Sequence, residues 1–480
     1  MEAFEIVLII ADILALLVLK FSGRLRVFLL PPVFVLLVGA VILPLAWEAP
    51  RWQMFPVYVL TAALLVLVAR IWIFDRQWRI PRLAFPIGWA MVLAAIALGS
   101  AFPIAKFPAP TGPFAVGTVV RHLVDVSRPE TLAAGVNGRR ELMIQIWYPA
   151  DPAAKGTDAR YVMSPAEVGS FNDSQLLRLN THALLDAPIS NAHPRYPVLV
   201  YSPSWHGQRN QNTVLAEALA SHGFVVVGID HPYGSAVTVF PDGRVARAKL
   251  AEFWDVSSDD ALKRSIQYIE LQLAVRVKDV EFVADELARY SLPGSNDQFS
   301  GRLDMSRLGV FGYSFGGAVA VQACWLDHRF RAVVDLDGAL FADSARDGIE
   351  QPLLVMTDNG PPPSQSELTS SRLPHRRYAM LIEDQLQLLH LDMANHGGYL
   401  LKIDGAGHTD FYDDLMTSPI NWVRGYAGIG RLRAMKIVSD YTVAFFERYL
   451  NDVQQPLLNG SSPQFPQVTL EISSPRHEHQ

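Results

Sequence analysis

The chain has 480 residues, with 41 Lys and Arg against 47 Asp and Glu and a formal net charge of −6. That balance, without runs of basic residues, argues against a nucleic-acid partner. One cysteine, Cys324, excludes an intramolecular disulfide and a thiolate metal cluster.

The first hundred residues hold four apolar stretches, at 4–19, 27–47, 54–74 and 83–104. The last three approach the ~20 residues that cross a ~30 Å hydrocarbon core as helix, while the first is shorter and carries Asp12. The acidic start, Met1-Glu2-Ala3-Phe4-Glu5, does not read as a signal peptide. About four transmembrane spans are therefore expected in residues 1–105. Lys20, Arg24 and Arg26 flank the first loop and Arg70, Arg76, Arg79 and Arg82 the third, whereas the second has almost no positive excess. The positive-inside rule puts loops one and three in the cytoplasm, and the N-terminus and everything after residue 105 on the extracytoplasmic side. Trp47, Trp52, Trp72, Trp78 and Trp89 stand where an aromatic belt would.

Residues 106–116 are rich in proline and read as a linker. Beyond them the pattern changes to short β-rich runs at 142–147, 197–202, 224–229, 308–311, 332–336, 352–356 and 399–403. Several are continuously apolar, as strands buried on both faces of a mainly parallel sheet are. Helical patterns stand at 212–222, 263–290, 317–326 and 431–450. Strand alternating with helix predicts a doubly wound α/β domain over 117–452, with a polar, lid-like insertion near 361–398. Residues 453–480 read as a tail.

Inside this domain Gly312-Tyr313-Ser314-Phe315-Gly316 reads G-x-S-x-G, preceded by the apolar "RLGVF" and followed by the helical "GAVAVQAC". Strand, turn and helix in that order make the motif a nucleophile elbow, with Ser314 exposed on a strained turn. A serine hydroxyl needs a base, and the base an orienting acid, in the chain order Ser, acid, His. Of the histidines beyond Ser314, only His408 follows a good strand on a small-residue loop. His375, His390 and His396 fall in the insertion, and His477 and His479 in the tail. The residues leave the acid open between Asp335 or Asp337 in "RAVVDLDGALF" and Asp358 in "PLLVMTDNG". The oxyanion would be held by the backbone N–H of Phe315 and that of Gln208, in the loop after "VLVYSPSWHGQ".

"PVLVYSPSWHGQRNQNTVLAEALASHGFVVVGIDHP", "LGVFGYSFGGAVAVQA", "RFRAVVDLDGALF" and "GAGHTDFYDD", in this order, resemble the platelet-activating factor acetylhydrolase family, in its secreted and type II intracellular branch. "GPFAVGTVVRHLVDVSRPE" and "MIQIWYPAD" look like that family's opening strands, so the resemblance covers roughly residues 112–452. It implies an α/β-hydrolase fold and a calcium-independent esterase that removes short or oxidised sn-2 acyl groups from phospholipids. It also implies Asp337 rather than Asp358 as the acid. Two departures stand out: Gln208-Arg209-Asn210 where relatives carry smaller apolar residues, and Gly338-Ala339 where an aromatic is common. The expected partners are an ester or phospholipid substrate and the lipid bilayer, with no cofactor and no metal. Rival readings keep the same machinery for a non-phospholipid ester or for acyl transfer, or make the chain a membrane scaffold with a degenerate hydrolase domain.

Overall fold

The computed structural model describes residues 3–21, 23–47, 51–74, 80–102, 106–133, 138–168, 176–413 and 429–474. The chain divides into two compact units, Met1–Lys106 with Arg160–Leu179, and Phe107–Ala159 with Asn180–Gln480. Assignment of residues 160–179 to the first unit departs from the expected domain limits, and within that unit Arg178 lies 3.7 Å from Glu5.

In the first unit the described residues form α1 (Ala3–Lys20), α2 (Gly23–Trp47), α3 (Phe55–Ile73) and α4 (Ala84–Ala101). Leu16, Leu37, Leu60, Leu64, Val68 and Val92 fill their shared interior. The outward side is apolar as well: Val35 is 69% exposed, Val66 70% and Leu93 63%. Helices apolar all round do not satisfy the amphipathic rule of a soluble surface helix. By length and composition, Trp52–Ile73 and Ala84–Ala101 are long and apolar enough to cross a membrane. α1 carries Glu5, Asp12 and Lys20, and the apolar run in α2 is Val27–Ile42. Two of the four expected spans thus meet that criterion. Arg76, Trp78 and Arg79, used for the expected orientation, lie outside the described residues, as do His477 and His479.

The second unit follows the order β1 (Ala115–Pro129), β2 (Arg139–Ala150), β3 (Asp158–Arg160), β4 (Asn180–Leu185), β5 (Tyr196–Ser202), α5 (Thr213–Ser221) and β6 (Val225–Asp230). A hairpin, β7 (Val237–Val239) and β8 (Val245–Arg247), leads to α6 (Asp259–Tyr290), β9 (Leu303–Tyr313), α7 (Phe315–Leu326) and β10 (Phe330–Leu336). Then come α8 (Ala342–Asp347), β11 (Leu353–Asp358), α9 (Gln365–Leu368), α10 (Leu373–His396), β12 (Gly398–Ile403), α11 (Arg431–Leu450) and β13 (Val468–Ser473). The large sheet has the order β13-β12-β11-β10-β9-β5-β6-β2-β1-β4-β3. From β6 through β12 it is parallel, with antiparallel β2 and β13 added beside β6 and β12. This is a mixed α/β sheet in which the expected strands and helices recur with shifted ends.

Continuous apolar runs make the central strands, and every residue of β5 and β6 is buried. α6 starts where Ser258 accepts the N–H of Ala261 at 3.1 Å, with Asp259 and Asp260 in its first turn. Its stripe of Ile269, Leu273, Val277, Val280, Val283 and Leu287 packs into the main core. Residues 365–396, expected to be an insertion, are mostly α10, the crossover between the parallel neighbours β11 and β12. Residues 453–474, expected as a tail, carry β13: Val468 is buried, Leu470 half-buried, and the strand closes the sheet edge against β12.

Glu217 of α5 is a carboxyl placed in this core. Its Oε1 accepts the backbone N–H groups of His182 at 2.8 Å and Ala183 at 2.7 Å. Burial pushes it up to about 7, against the lowering effect of His182. The native state therefore holds more protons than the unfolded chain between about pH 4.5 and 7, and stability falls as pH rises through that window. Glu217→Gln keeps an acceptor for both N–H groups and removes the titration. It is expected to raise Tm over the wild type at pH 8 and much less at pH 5; the same change at both pH values would overturn the assignment.

Candidate active site

β5, β9, β10, β11 and β12 end level with one another: the registers pair Ser202 with Gly312, Tyr313 with Leu336, Leu336 with Met356 and Asp358 with Ile403. After β5 the chain builds β6 on one side and later returns to β9 on the other. The crevice at the carboxyl ends of strands beside such a reversal is where open α/β sheets hold ligands. Ser314, Asp337 and His408 follow these strand ends, Asp358 is the last residue of β11, and Gln208 follows β5.

Ser314 has φ 56° and ψ −123°, a conformation that side-chain-bearing residues seldom adopt. Its N–H is held by the carbonyl of Leu336 at 2.8 Å, which fixes the turn to β10. The flanking glycines are spatial necessities. A Cβ on Gly316 would stand 2.0 Å from the carbonyl oxygen of Ser202 and 2.5 Å from that of Pro203. A Cβ on Gly312 would stand 1.9 Å from the carbonyl oxygen of Gly316.

The structure brings three of the predicted side chains into line. His408 Nε2 lies 3.0 Å from Ser314 Oγ, and His408 Nδ1 lies 2.5 Å from Asp337 Oδ2. The Tyr313 hydroxyl donates to the carbonyl of His408 at 2.8 Å, and its ring lies 5.1 Å from the imidazole, so the nucleophile strand also braces the histidine loop. The imidazole remains half-exposed while Asp337 is largely covered.

The three acids differ by environment. Asp358 turns its backbone N–H, not its carboxylate, toward Asp337, donating to Oδ1 at 3.3 Å. Burial and the nearby Asp337 push the Asp358 carboxyl up. Asp335 lies buried beneath the turn, where Oδ1 accepts the N–H of Gly338 at 2.9 Å. Burial, with Asp337 adding to it, drives its carboxyl well above the usual range.

Among the described residues no protein acceptor takes the backbone N–H of Phe315 or of Gln208. The loop carrying Gln208 is pinned around that donor. Gly207 N–H donates to Ser204 O at 3.0 Å, Gln208 Nε2 to Val237 O at 3.0 Å, and Ala236 N–H to His206 O at 2.8 Å. Arg209 departs from small apolar residues because it forms a buried pair with Asp230 at 2.5 Å. The ring of Trp205 packs edge-on to that of Phe315 at 4.8 Å.

A charged cluster that motif reading passed over lies behind this loop. Asp279 of α6 accepts from Arg140 at 2.6 Å, Arg128 at 2.9 Å and His231 Nδ1 at 2.9 Å. Burial works against ionisation, yet Arg140 and the His231 hydrogen bond hold its carboxyl well below the usual range. Burial lowers His231 to about 4, so the ring is neutral and bridges Asp279 to Ser202 Oγ at 3.2 Å. The signal was Arg276 and Asp279 standing in the otherwise apolar stripe of α6. Among the described residues no three His, Cys, Asp or Glu side chains are grouped to hold a metal ion.

A serine on a strand-to-helix turn at the carboxyl edge of a mixed α/β sheet, within reach of a histidine, defines the class: an α/β-hydrolase, and within it a serine ester hydrolase. The sequence model of platelet-activating factor acetylhydrolase, isoform II, matches residues 100–456, and the chain belongs to that family. A probable 1-alkyl-2-acetylglycerophosphocholine esterase of Arthroderma benhamiae is 22% identical, covering 78% of this chain and 96% of its own. The platelet-activating factor acetylhydrolase of Canis lupus familiaris is 26% identical over 41% of this chain and 48% of its own. Among solved structures, a ferulic acid esterase from Streptomyces cinnamoneus superposes with a TM-score of 0.58 at 30% identity, covering 76% of this chain and 99% of that one. The chain is a carboxylic ester hydrolase.

Gly316→Ala tests the backbone contact under the turn. Neither Ser202 O nor Pro203 O can retreat without moving a central strand, so kcat is expected to fall by about 10²-fold or more with helix content unchanged. Activity within threefold of the wild type would show that the close approach is dispensable.

Proposed function

We propose that the chain is a membrane-anchored serine esterase that removes short or oxidised acyl groups from the sn-2 position of phospholipids. Ser314, His408 and Asp337 are its triad, and the N–H groups of Phe315 and Gln208 its oxyanion hole. The observation that carries the reading is the continuous line from Asp337 Oδ2 through His408 to Ser314 Oγ. In this mechanism Ser314 Oγ attacks the ester carbonyl while its proton passes to His408 Nε2. The two N–H groups stabilise the oxyanion of the tetrahedral intermediate, a contribution of about 3–4 kcal/mol per donor in related sites. His408 then protonates the leaving alcohol, and activated water resolves the acyl-enzyme. Asp337 holds the Nδ1–H tautomer throughout.

The family match supports the phospholipid ester, and the outward apolar surface of α1–α4 supports anchoring through about four spans, with residues 117–452 as the catalytic domain outside the cytoplasm. A second reading, an esterase of non-phospholipid aryl or short-chain esters, is favoured by the 30% identity with the ferulic acid esterase.

A fluorophosphonate is expected to label the wild type and not Ser314→Ala, and a membrane-impermeant form to label intact cells. Asp337→Asn should lower kcat about 10³- to 10⁴-fold and Asp358→Asn less than tenfold. Labelling of Ser314→Ala, or the reverse order of the two acids, would refute these assignments, and labelling only in broken cells the orientation. The substrate is separated by assaying carbonate-washed membranes with sn-2 acetyl phospholipid, long-acyl phospholipid and a feruloyl ester. Activity retained in the membranes and at least tenfold higher kcat/KM on the sn-2 acetyl lipid is expected. A preference for the feruloyl ester establishes the second reading, equal use of long acyl chains excludes the short-acyl one, and activity released by carbonate excludes integral anchoring.

A further inference from the structure

Arg276 sits in the middle of α6, its side chain fully buried. Its hydrogen bonds go to three consecutive main-chain carbonyls of the loop after β5. Nη1 donates to Ser204 O at 2.8 Å and to Pro203 O at 3.3 Å, and Nη2 donates to Trp205 O. The guanidinium carbon also lies 5.0 Å from the centroid of the Phe315 ring and 5.8 Å from that of Trp205. Asp279, the acid one turn along the helix, is already shared by Arg140, Arg128 and His231. A guanidinium buried on neutral carbonyls carries a desolvation cost that packing alone does not explain, since methionine would fill the same space.

The geometry supplies the reason. In a trans peptide the C=O and N–H point in opposite directions. Carbonyls of Pro203, Ser204 and Trp205 gathered on one cation therefore orient the following N–H groups away from it, and Ser204 N–H is taken up by Gln211 Oε1 at 2.9 Å. The path into His206-Gly207-Gln208 is thereby set, while the Phe315 ring is held against the same guanidinium. We propose that Arg276 is the positioning residue of the oxyanion hole, holding the loop that carries the Gln208 N–H at a fixed separation from the N–H of Phe315. The inference rests on the Ser314 triad and on those two donors. Its planar fork spans three acceptors at once, which a lysine ammonium does not. Burial lowers its pKa, with Arg140 adding to the effect, to about 9, so it remains a cation at neutral pH.

The test compares Arg276→Met and Arg276→Lys with the wild type in full-length protein, by Tm, by kcat and KM on p-nitrophenyl acetate, and by inhibition with a trifluoromethyl ketone. In the inhibitor adduct Ser314 Oγ bonds to the ketone carbon, its proton moves to His408 Nε2, and the former carbonyl oxygen becomes the oxyanion in the hole. Arg276→Met is expected to lose about 10²-fold in kcat with KM within threefold, and to lose ketone affinity by a similar factor. Arg276→Lys should recover part of both. A folded Arg276→Met with kcat within threefold of the wild type would overturn the proposal. So would a loss carried by KM, or a fall in kcat with ketone affinity unchanged. If Arg276→Met does not fold, Arg276→Lys decides: a matched loss of kcat and ketone affinity supports the role, and wild-type values of both overturn it. Ser314→Ala runs alongside, because activity in that variant would sink the triad reading itself rather than the role of Arg276.

Discussion

The site depends on one main-chain contact, the start of α7 lying directly on the end of β5. The carbonyl oxygens of Ser202 and Pro203 occupy the space that any side chain at position 316 would need. Because β5 and β9 are parallel neighbours with Ser202 level with Gly312, the chain leaving β9 can enter α7 only by reversing within one residue. Ser314 absorbs that reversal at positive φ, at a cost of roughly 1–3 kcal/mol. The surrounding structure offsets it: Val319, Ala320, Val321 and Ala323 of α7 are fully buried, and Leu336 holds the turn's N–H. The half-buried serine stands at this edge of the sheet because the backbone has no other route.

Buried charge on the far side of the same contact makes the arrangement rigid. Asp279 gathers Arg140, Arg128 and His231 into a network, and removing Asp279 would take a buried carboxylate partner from both arginines at once. Neutral His231 carries that order to Ser202 at the end of β5, and Arg276 carries it to the following carbonyls. The contrast among the acids has the same origin. Asp335 and Asp337 are two residues apart, yet one points into a dry layer beside Gly317 and the other toward a half-exposed imidazole. Depth in the sheet, rather than residue type, separates the two environments.

Legibility in the sequence followed how local each signal was. The parallel strands were visible because burial on both faces writes a continuous apolar run, as in "YPVLVYS" and "FVVVGID". The elbow was visible because its five residues stand together between an apolar run and a helical one, although Gly316 answers to the distant carbonyls of Ser202 and Pro203. The residues alone left the acid open, and only the resemblance pointed to Asp337, since Asp337 and Asp358 both stand at strand ends and differ in which group meets its neighbour. β13 was hidden by its edge position, where alternation is short and charged. Assignment of residues 160–179 to the first unit arises from contacts distant in sequence, among them Arg178 with Glu5, and no local pattern announces it. The polar run 361–398 resembled an insertion because the one face of α10 that packs is narrow, with Ala379, Leu381 and Met393 its buried apolar side chains.

Those limits also explain what the departures in the oxyanion loop do and do not alter. Gln208 sends its side chain to Val237 O, and Arg209 sends its own to Asp230 at the end of β6. Neither side chain takes up the backbone N–H of Gln208, which has no protein acceptor among the described residues. A peptide N–H is independent of side-chain type, so the loop accommodates Gln208 and Arg209 where Val237 and Asp230 offer them partners. The frame around Ser314 is likewise main chain packed on main chain, in the contacts of Gly312 and Gly316 and in the registers of β5, β9 and β10.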